Sequence, residues 1–344
     1  MRILVGTDEG LSVVRWIEGE RSGRVAERQF EGRQVYRLAA AGTALWAVVP
    51  DEGLFRSTDR GDSWNRVTEP PEGRRVLSFA AAGRDGRRLL LGTEPAAVYA
   101  SEDGGDTWSE RPEFRVLGVR EAWRDYGDRA AHVETLAFDP ESSRRIYAGV
   151  EVGGAYRSDD DGASWTGINE GILDDIHEIQ ADPRDPSRLL AATGGGLFVS
   201  RDRGLHWHRH DAPPGELFCS DLERVDFAGP AAAAPATAVP PAGAGGSTFL
   251  LATADGPPST WAGARGKAGA RLWRSTDGGA TWDAWPLSGF RDRGAITALA
   301  ADATQPAAVF AGTSAGTLYH GRLDSGRWSR IAFGLGPVRT LAAR

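Results

Sequence analysis

The sequence is poor in several things at once. Among its 344 residues there is one cysteine, Cys219, and one methionine. A lone thiol closes no internal disulfide, so nothing in the composition asks for an oxidising compartment. No run approaches the roughly 18 consecutive apolar residues that a membrane-spanning helix requires. Excess positive charge is also lacking: 40 Lys and Arg face 47 Asp and Glu, a formal charge of −7, with a pI near 5.5. That balance argues against a nucleic-acid groove and against an anionic membrane surface as partners. The opening residues, Met1-Arg2-Ile3-Leu4-Val5-Gly6-Thr7, hold no apolar signal core and read as a strand, so cytoplasmic residence is expected. No phosphate-cradling loop, zinc-type spacing or nucleophile elbow is found.

What is abundant is a repeat. The pattern Ser-x-Asp-x-Gly-x-(Ser/Thr/His)-Trp runs from Ser57 to Trp64, Ser101 to Trp108, Ser158 to Trp165, Ser200 to Trp207 and Ser275 to Trp282. A damaged sixth copy keeps Asp324, Gly326 and Trp328, one residue short. The chemistry is that of a turn. The Asp side chain accepts from backbone N–H groups downstream, Gly allows positive φ, and Trp re-enters a strand where its ring fills space between sheets. Around each box lie an alternating run, such as Val133 to Phe138, and a Gly-rich turn. Four short strands per repeat are the pattern of propeller blades.

First strands begin near Val35, Val76, Val133, Ile176, Leu222 and Ile296, which makes six complete units. The N-terminus supplies three strands of another, and Val338-Arg339-Thr340-Leu341-Ala342 matches its missing first strand. The expectation is one all-β domain over 1–344: a seven-bladed β-propeller whose C-terminal strand closes the first blade, residues 1–30 plus 338–344. Closure of this kind hides sheet edges. Box spacing locates the irregularities: 44 residues from Ser57 to Ser101, but 57 from Ser101 to Ser158 and 75 from Ser200 to Ser275. The excess falls in insertions at 110–131, 228–246 and 255–270, the last two rich in Ala, Gly or Pro.

With its boxes the chain resembles the Asp-box, or bacterial neuraminidase repeat, propellers over essentially its whole length. That superfamily includes sialidases, xyloglucan-active endoglucanases, sortilin-type receptors and photosystem II assembly factors, so the resemblance implies the fold and leaves the chemistry open. The sialidases carry an N-terminal Arg-Ile-Pro segment, whereas the first blade here reads Gly6-Thr7-Asp8-Glu9-Gly10-Leu11. Sialidase activity is therefore not expected. The xyloglucan enzymes set two propellers across a cleft, and this chain has strands for one. The description that fits is a glycosyl-hydrolase-like member of the fold.

A site is expected at the mouth of the channel, on the side of the turns between second and third strands. Aligned turns put Glu94 and Glu151 at one place in adjacent blades, with Asp8, Asp51 and Asp255 nearby. Aligned first strands put Tyr36, Glu134, His177, Glu223 and Arg339 at one shared position, with Leu77 and Thr297 completing it and His132 just before the fourth. Paired carboxylates and imidazoles have two uses in such a place. They serve acid/base catalysis, since close carboxylates force their pKa values apart, or they pair with arginines as a polar lining. A divalent metal on the same Glu and His set is a third possibility, although no metal ligand is assigned. The 110–131 insertion adds Trp123, Arg124 and Tyr126 as candidate ligand contacts, or Trp123 as a buried anchor. His206, His208 and His210 alternate on an outer strand and read as a solvated edge.

Two functions stay open. One is a binding propeller holding a carbohydrate, another small polar ligand or a protein segment, through Tyr36, Trp123, Arg124, Tyr126, Glu223 and Arg339. The other is a glycosidase-like hydrolase or lyase working through Glu94, Glu151, Glu134, His132 and His177.

Overall fold

The computed structural model describes residues 1–83, 86–120, 123, 129–212, 217–225, 247–261, 268–302, 308–322 and 324–343. The chain is all-β and has the seven four-stranded antiparallel sheets of a seven-bladed β-propeller. In every blade the four strands follow one another as a meander, except that blade one borrows its first strand from the C-terminus.

Two compact units divide the chain. The unit Tyr36–His210 holds blades two to five, whose first strands are Arg37–Ala41, Arg75–Ala82, His132–Phe138 and Ile176–Asp182. The unit of Met1–Val35 and Asp211–Arg344 holds blades one, six and seven. Their first strands are Val338–Ala343, Phe218–Arg224 and Ile296–Ala301.

Burial follows the strand number. Second strands are apolar on both faces: Phe249–Ala254 is buried throughout, as is Ala308–Thr313. Fourth strands such as Arg24–Gln29 are largely exposed. Core clusters form between neighbouring sheets, one joining Leu90 and Val98 of blade three to Val133, Ile146 and Tyr156 of blade four. Sheets packed this closely leave no room for a side chain at some positions. A Cβ on Gly92 would lie 2.6 Å from Val133, and one on Gly149 would lie 2.5 Å from Ile176. Glycine is required there by the neighbouring blade.

The five intact boxes form closely similar side-chain clasps. Each Ser hydroxyl donates to its Asp, as Ser158 does to Asp160 at 2.9 Å, and accepts the N–H of the box Gly, here Gly162 at 2.7 Å. The second carboxylate oxygen takes the hydroxyl of Ser63, Thr107, Ser164 or Thr281 at 2.5–2.7 Å. His206 replaces the hydroxyl in the fourth box, its Nδ1 lying 2.6 Å from Asp202. Hydrogen bonds from Ser63 and Thr107, side chain first and then backbone, hold the carboxyls of Asp59 and Asp103 well below the usual range. In the damaged copy an ion pair with Arg322 at 2.6 Å takes over Asp324.

Blade one closes as expected. Val338–Ala343 pairs antiparallel with Arg2–Thr7, matching Leu4 to Ala342 and Val5 to Leu341. Two expectations are corrected. The first strand of blade six starts at Phe218, four residues before Leu222, because Phe218 and Cys219 pair with Ala254 and Thr253. The 110–131 insertion is not simply a loop, since it opens with the helix Pro112–Arg120, whose Phe114 and Leu117 are buried. Residues 228–246 and 262–267 lie outside the described residues.

Removing Val338–Ala343 would leave the Arg2–Thr7 edge without its partner. A chain ending at Pro337 is expected to self-associate on size exclusion and to unfold less cooperatively than the full chain. A truncated chain that stays monomeric with an unchanged melting temperature would contradict the closing role.

Candidate functional site

The polar residues that meet in the unit Tyr36–His210 are positioned by a recurring irregularity. Near their starts the first strands of six blades bulge, leaving one residue unpaired with the second strand, whereas that of blade two keeps an unbroken register. In blade four Val133 faces Val150 and Thr135 faces Gly149, so Glu134 is the extra residue. The same reading gives Leu77, His177, Thr297 and Arg339. In blade six it gives Ser220, not Glu223, which faces Leu250 further along the strand. The early start of that strand moves the register by three residues. A bulge re-aims the side chains beside it.

From these strands a chain of ionisable groups alternates in sign. Asp51 accepts from Arg75 Nε at 2.8 Å, and Arg75 Nη1 reaches Glu94 at 3.2 Å. Glu94 also meets Arg129 Nε at 3.3 Å, and Arg129 Nη1 lies 3.8 Å from Glu151. His132 Nε2 lies 2.6 Å from Glu151 and 3.3 Å from Glu134. The Tyr36 hydroxyl, 2.8 and 2.9 Å from the two oxygens of Glu134, donates to that carboxylate. Arg37 completes the chain, 3.9 Å from Glu134 and 3.0 Å from Glu178. Blades two, three, four and five all contribute.

The two middle members are held in their charged forms. Burial disfavours a charge on His132, whose side chain is fully covered. Its contacts with Glu134 and Glu151 outweigh that and the opposing charge of Arg129, raising its pKa to about 9. Burial likewise opposes the Glu134 carboxylate, but His132, Arg37 and Tyr36 together pull its pKa below the ordinary value. Burial and the Glu134 charge push the Tyr36 hydroxyl far up, so it stays a donor. Glu178 goes the other way: burial raises its pKa despite Arg37.

His132, Glu134 and Glu151 each offer a ligand atom within 4.8 Å of the others, the spacing of a candidate metal site. The geometry suits a proton better. Ligand atoms adjacent around an ion with bonds of about 2.1 Å stand roughly 3 Å apart, whereas His132 and Glu151 approach to 2.6 Å. Nδ1 of His132 lies 3.0 Å from the Ala130 carbonyl, and Arg129 Nη2 lies 3.1 Å from Nε2.

The chain of ion pairs described above does not include the remaining candidates. His177 pairs with Asp175 at 3.3 Å. Arg339 pairs with Asp8 at 2.7 Å, and both it and Glu223 belong to the other unit. Asp255 is bonded by Arg271 at 2.5 Å. Trp123 is half-buried 5.0 Å from the Phe114 ring, and its N–H donates to the Tyr156 hydroxyl at 2.5 Å. That is an anchor for the inserted segment rather than an open stacking platform. Arg124 and Tyr126 lie outside the described residues. Sequence reasoning missed Arg37, Arg75, Arg129 and Glu178. Strict alternation turns Arg37 away from Tyr36 and Glu178 away from His177; the bulge at His177 breaks it in blade five, and Arg37 and Tyr36 both reach Glu134.

No protein-family model matches the chain. It is 25% identical to a xyloglucanase from a Paenibacillus species over 325 residues, covering 81% of this chain and 28% of that enzyme. The chain spans 28% or less of the length of the curated xyloglucanases it matches in sequence. The GH74 xyloglucanase of Xanthomonas campestris superposes with a TM-score of 0.63 at 19% identity, over 94% of this chain and 52% of that one. The structure of YCF48 bound to D1 peptide gives 0.57 at 16%, over 87% and 82%. At such identities the structural likeness is one of fold. Among the described residues no helix is long and apolar enough to cross a membrane.

Folding keeps on His132 a proton that the unfolded chain releases near pH 6.5. The contribution of this group is therefore complete below that pH and is lost as the pH rises through about 9. Denaturant unfolding is expected to show a fall of at most about 3 kcal/mol between those limits, and His132→Gln is expected to flatten it. Equal slopes in the two proteins would contradict the assignment.

Proposed function

We propose that this propeller binds a polar ligand without converting it, through the edge of the alternating chain formed by Arg75 and Arg129. The observation that carries this reading is that every carboxylate in the chain is already bonded to a guanidinium, an imidazolium or a tyrosine. Arg75 and Arg129, at 40% and 37% exposure, are the most open of its bases, while the Glu94 side chain is 8% exposed. Each guanidinium carries five N–H groups, and among the described residues the contacts above engage no more than three of them in either arginine. A glycan-like chain supplies hydroxyl and ether oxygens, and a peptide segment supplies carbonyls and carboxylates. A propeller of similar fold bound to a peptide, YCF48, fits the second kind of ligand.

The similarity to xyloglucanases favours one competing reading, a glycosidase acting through Glu134 and Glu151. Their closest oxygens lie within 4.8 Å, near the roughly 5 Å separation used in retaining hydrolysis. The His132 nitrogen stands between them, however, where the reacting sugar carbon would have to enter. A general acid also needs a carboxyl that keeps its proton near neutral pH, and Glu134 is pulled the opposite way.

The two readings separate on one substitution. Glu151→Gln breaks the short contact with His132 and is expected to destabilise the fold by about 1–3 kcal/mol, with no turnover to lose. Arg129→Ala is expected to weaken an oligosaccharide or peptide ligand by roughly ten- to a hundred-fold, the loss of one charge-assisted hydrogen bond. Turnover of a xyloglucan oligosaccharide that Glu151→Gln abolishes at an unchanged melting temperature would establish the enzyme instead.

A further inference from the structure

The seams between successive boxes differ in how they are filled. Between blades four and five, Arg157, the residue before the box serine, donates from Nη1 to the Arg203 carbonyl of the next box at 3.0 Å. Between blades three and four, Arg111, three residues after the box tryptophan, donates from Nε to the Asp161 carbonyl at 2.7 Å. Its stem also lies against Gly162. In each seam a guanidinium closes the gap between the outer strands of one blade and the box of the next.

Between blades two and three the same two positions hold Arg56 and Val67. Val67 packs where Gly105 leaves room but carries no polar end. Arg56 lies over the Trp46 ring, 5.5 Å from its centroid. Among the described residues, the carbonyl of Gly104, the counterpart of Asp161 and Arg203, takes no side-chain hydrogen bond. What remains is a groove of about 470 Å³ whose lining includes Arg56, Thr58, Asn65, Arg66, Val67 and Asp106. That volume lies within the range of small-molecule sites.

The lining is chemically mixed. Arg66 is neutralised by Glu69 at 2.9 Å. The side chains of Arg56, Thr58, Asn65 and Asp106 make no hydrogen bond to other described residues. One cation and one anion are therefore on offer, together with an amide and a hydroxyl that both donate and accept. A phosphate or sulfate in the groove would meet Asp106, and an ammonium group would meet Arg56. Hydroxyls, which donate and accept without charge, satisfy all four side chains at once.

We propose that the seam between the first two boxes is a binding site for a short neutral saccharide. Its hydroxyls donate to Asp106 and Asn65 and accept from Arg56 and Asn65. The site lies at the turns between third and fourth strands and uses none of the residues around Arg129, so it stands apart from the polar-ligand reading above.

Titration of the whole chain with cellotetraose, xylotetraose and maltotetraose, followed by calorimetry or amide chemical shifts, tests it. At least one is expected to bind. Arg56→Ala and Asp106→Asn should each weaken that binding by about ten-fold or more with the melting temperature unchanged. Val67→Arg, which supplies the side chain found at the next seam, should abolish the amide shifts at this seam, and Arg129→Ala should leave those shifts intact whatever binding it removes at the Arg129 edge. Binding of none of the three, undiminished shifts at this seam in both Arg56→Ala and Val67→Arg, or loss of those shifts on Arg129→Ala alone would overturn the site. Stronger binding of trigalacturonate than of every neutral probe would overturn the neutral class.

Discussion

Carboxylates cannot be gathered under partial burial unless each has a counter-charge, because an uncompensated buried ion costs several kcal/mol. Blades two to five bring Glu94, Glu134, Glu151 and Glu178 together under that constraint, and the answer is strict alternation of sign. His132 is the critical member. The other cations in the chain are guanidiniums that never lose their proton, whereas His132 must be kept charged by its neighbours. Without that proton, Glu134 and Glu151 would face one another across a neutral ring.

The propeller makes this arrangement possible and also restrains it. Glycines such as Gly92 and Gly149 let the sheets approach, and first-strand hydroxyls tie neighbouring blades: Ser78 donates to the Val133 carbonyl at 2.7 Å. The bulges beside those contacts turn charged side chains from separate blades toward one another. Boxes at the other end of the strands fix each turn without entering the polar chain, so the ends are free to differ in chemistry. In this fold, shared with a xyloglucanase structure, each of the clustered glutamates is paired with a cation.

Much of the architecture was legible in the sequence because it repeats. Five copies of the box, the Gly-rich turns and the match between Val338-Arg339-Thr340 and Val133-Glu134-Thr135 carry the blade count and the closing strand. The meeting of His132, Glu134 and Glu151 was approachable for the same reason, since aligned repeats place equivalent residues alike. What alignment could not show was what breaks the repeat. The first strand of blade six begins early, which exchanges Glu223 for Ser220, and Arg37 joins its neighbour Tyr36 on Glu134. Arg129 comes from an insertion without a counterpart in the other blades. Trp123, taken as a ligand contact or an anchor, is anchored by Phe114 and Tyr156, neighbours that spacing alone does not reveal.

The charge on one imidazole decides whether this account is right. Nitrogen-15 chemical shifts of His132 at pH 7.5, in the full chain, report its protonation directly. Two equivalent-type protonated nitrogens, the signature of an imidazolium, are what the alternating chain predicts. A neutral ring at that pH, with one bare nitrogen facing Glu151, would contradict it and return Glu134 and Glu151 to the list of groups able to do chemistry.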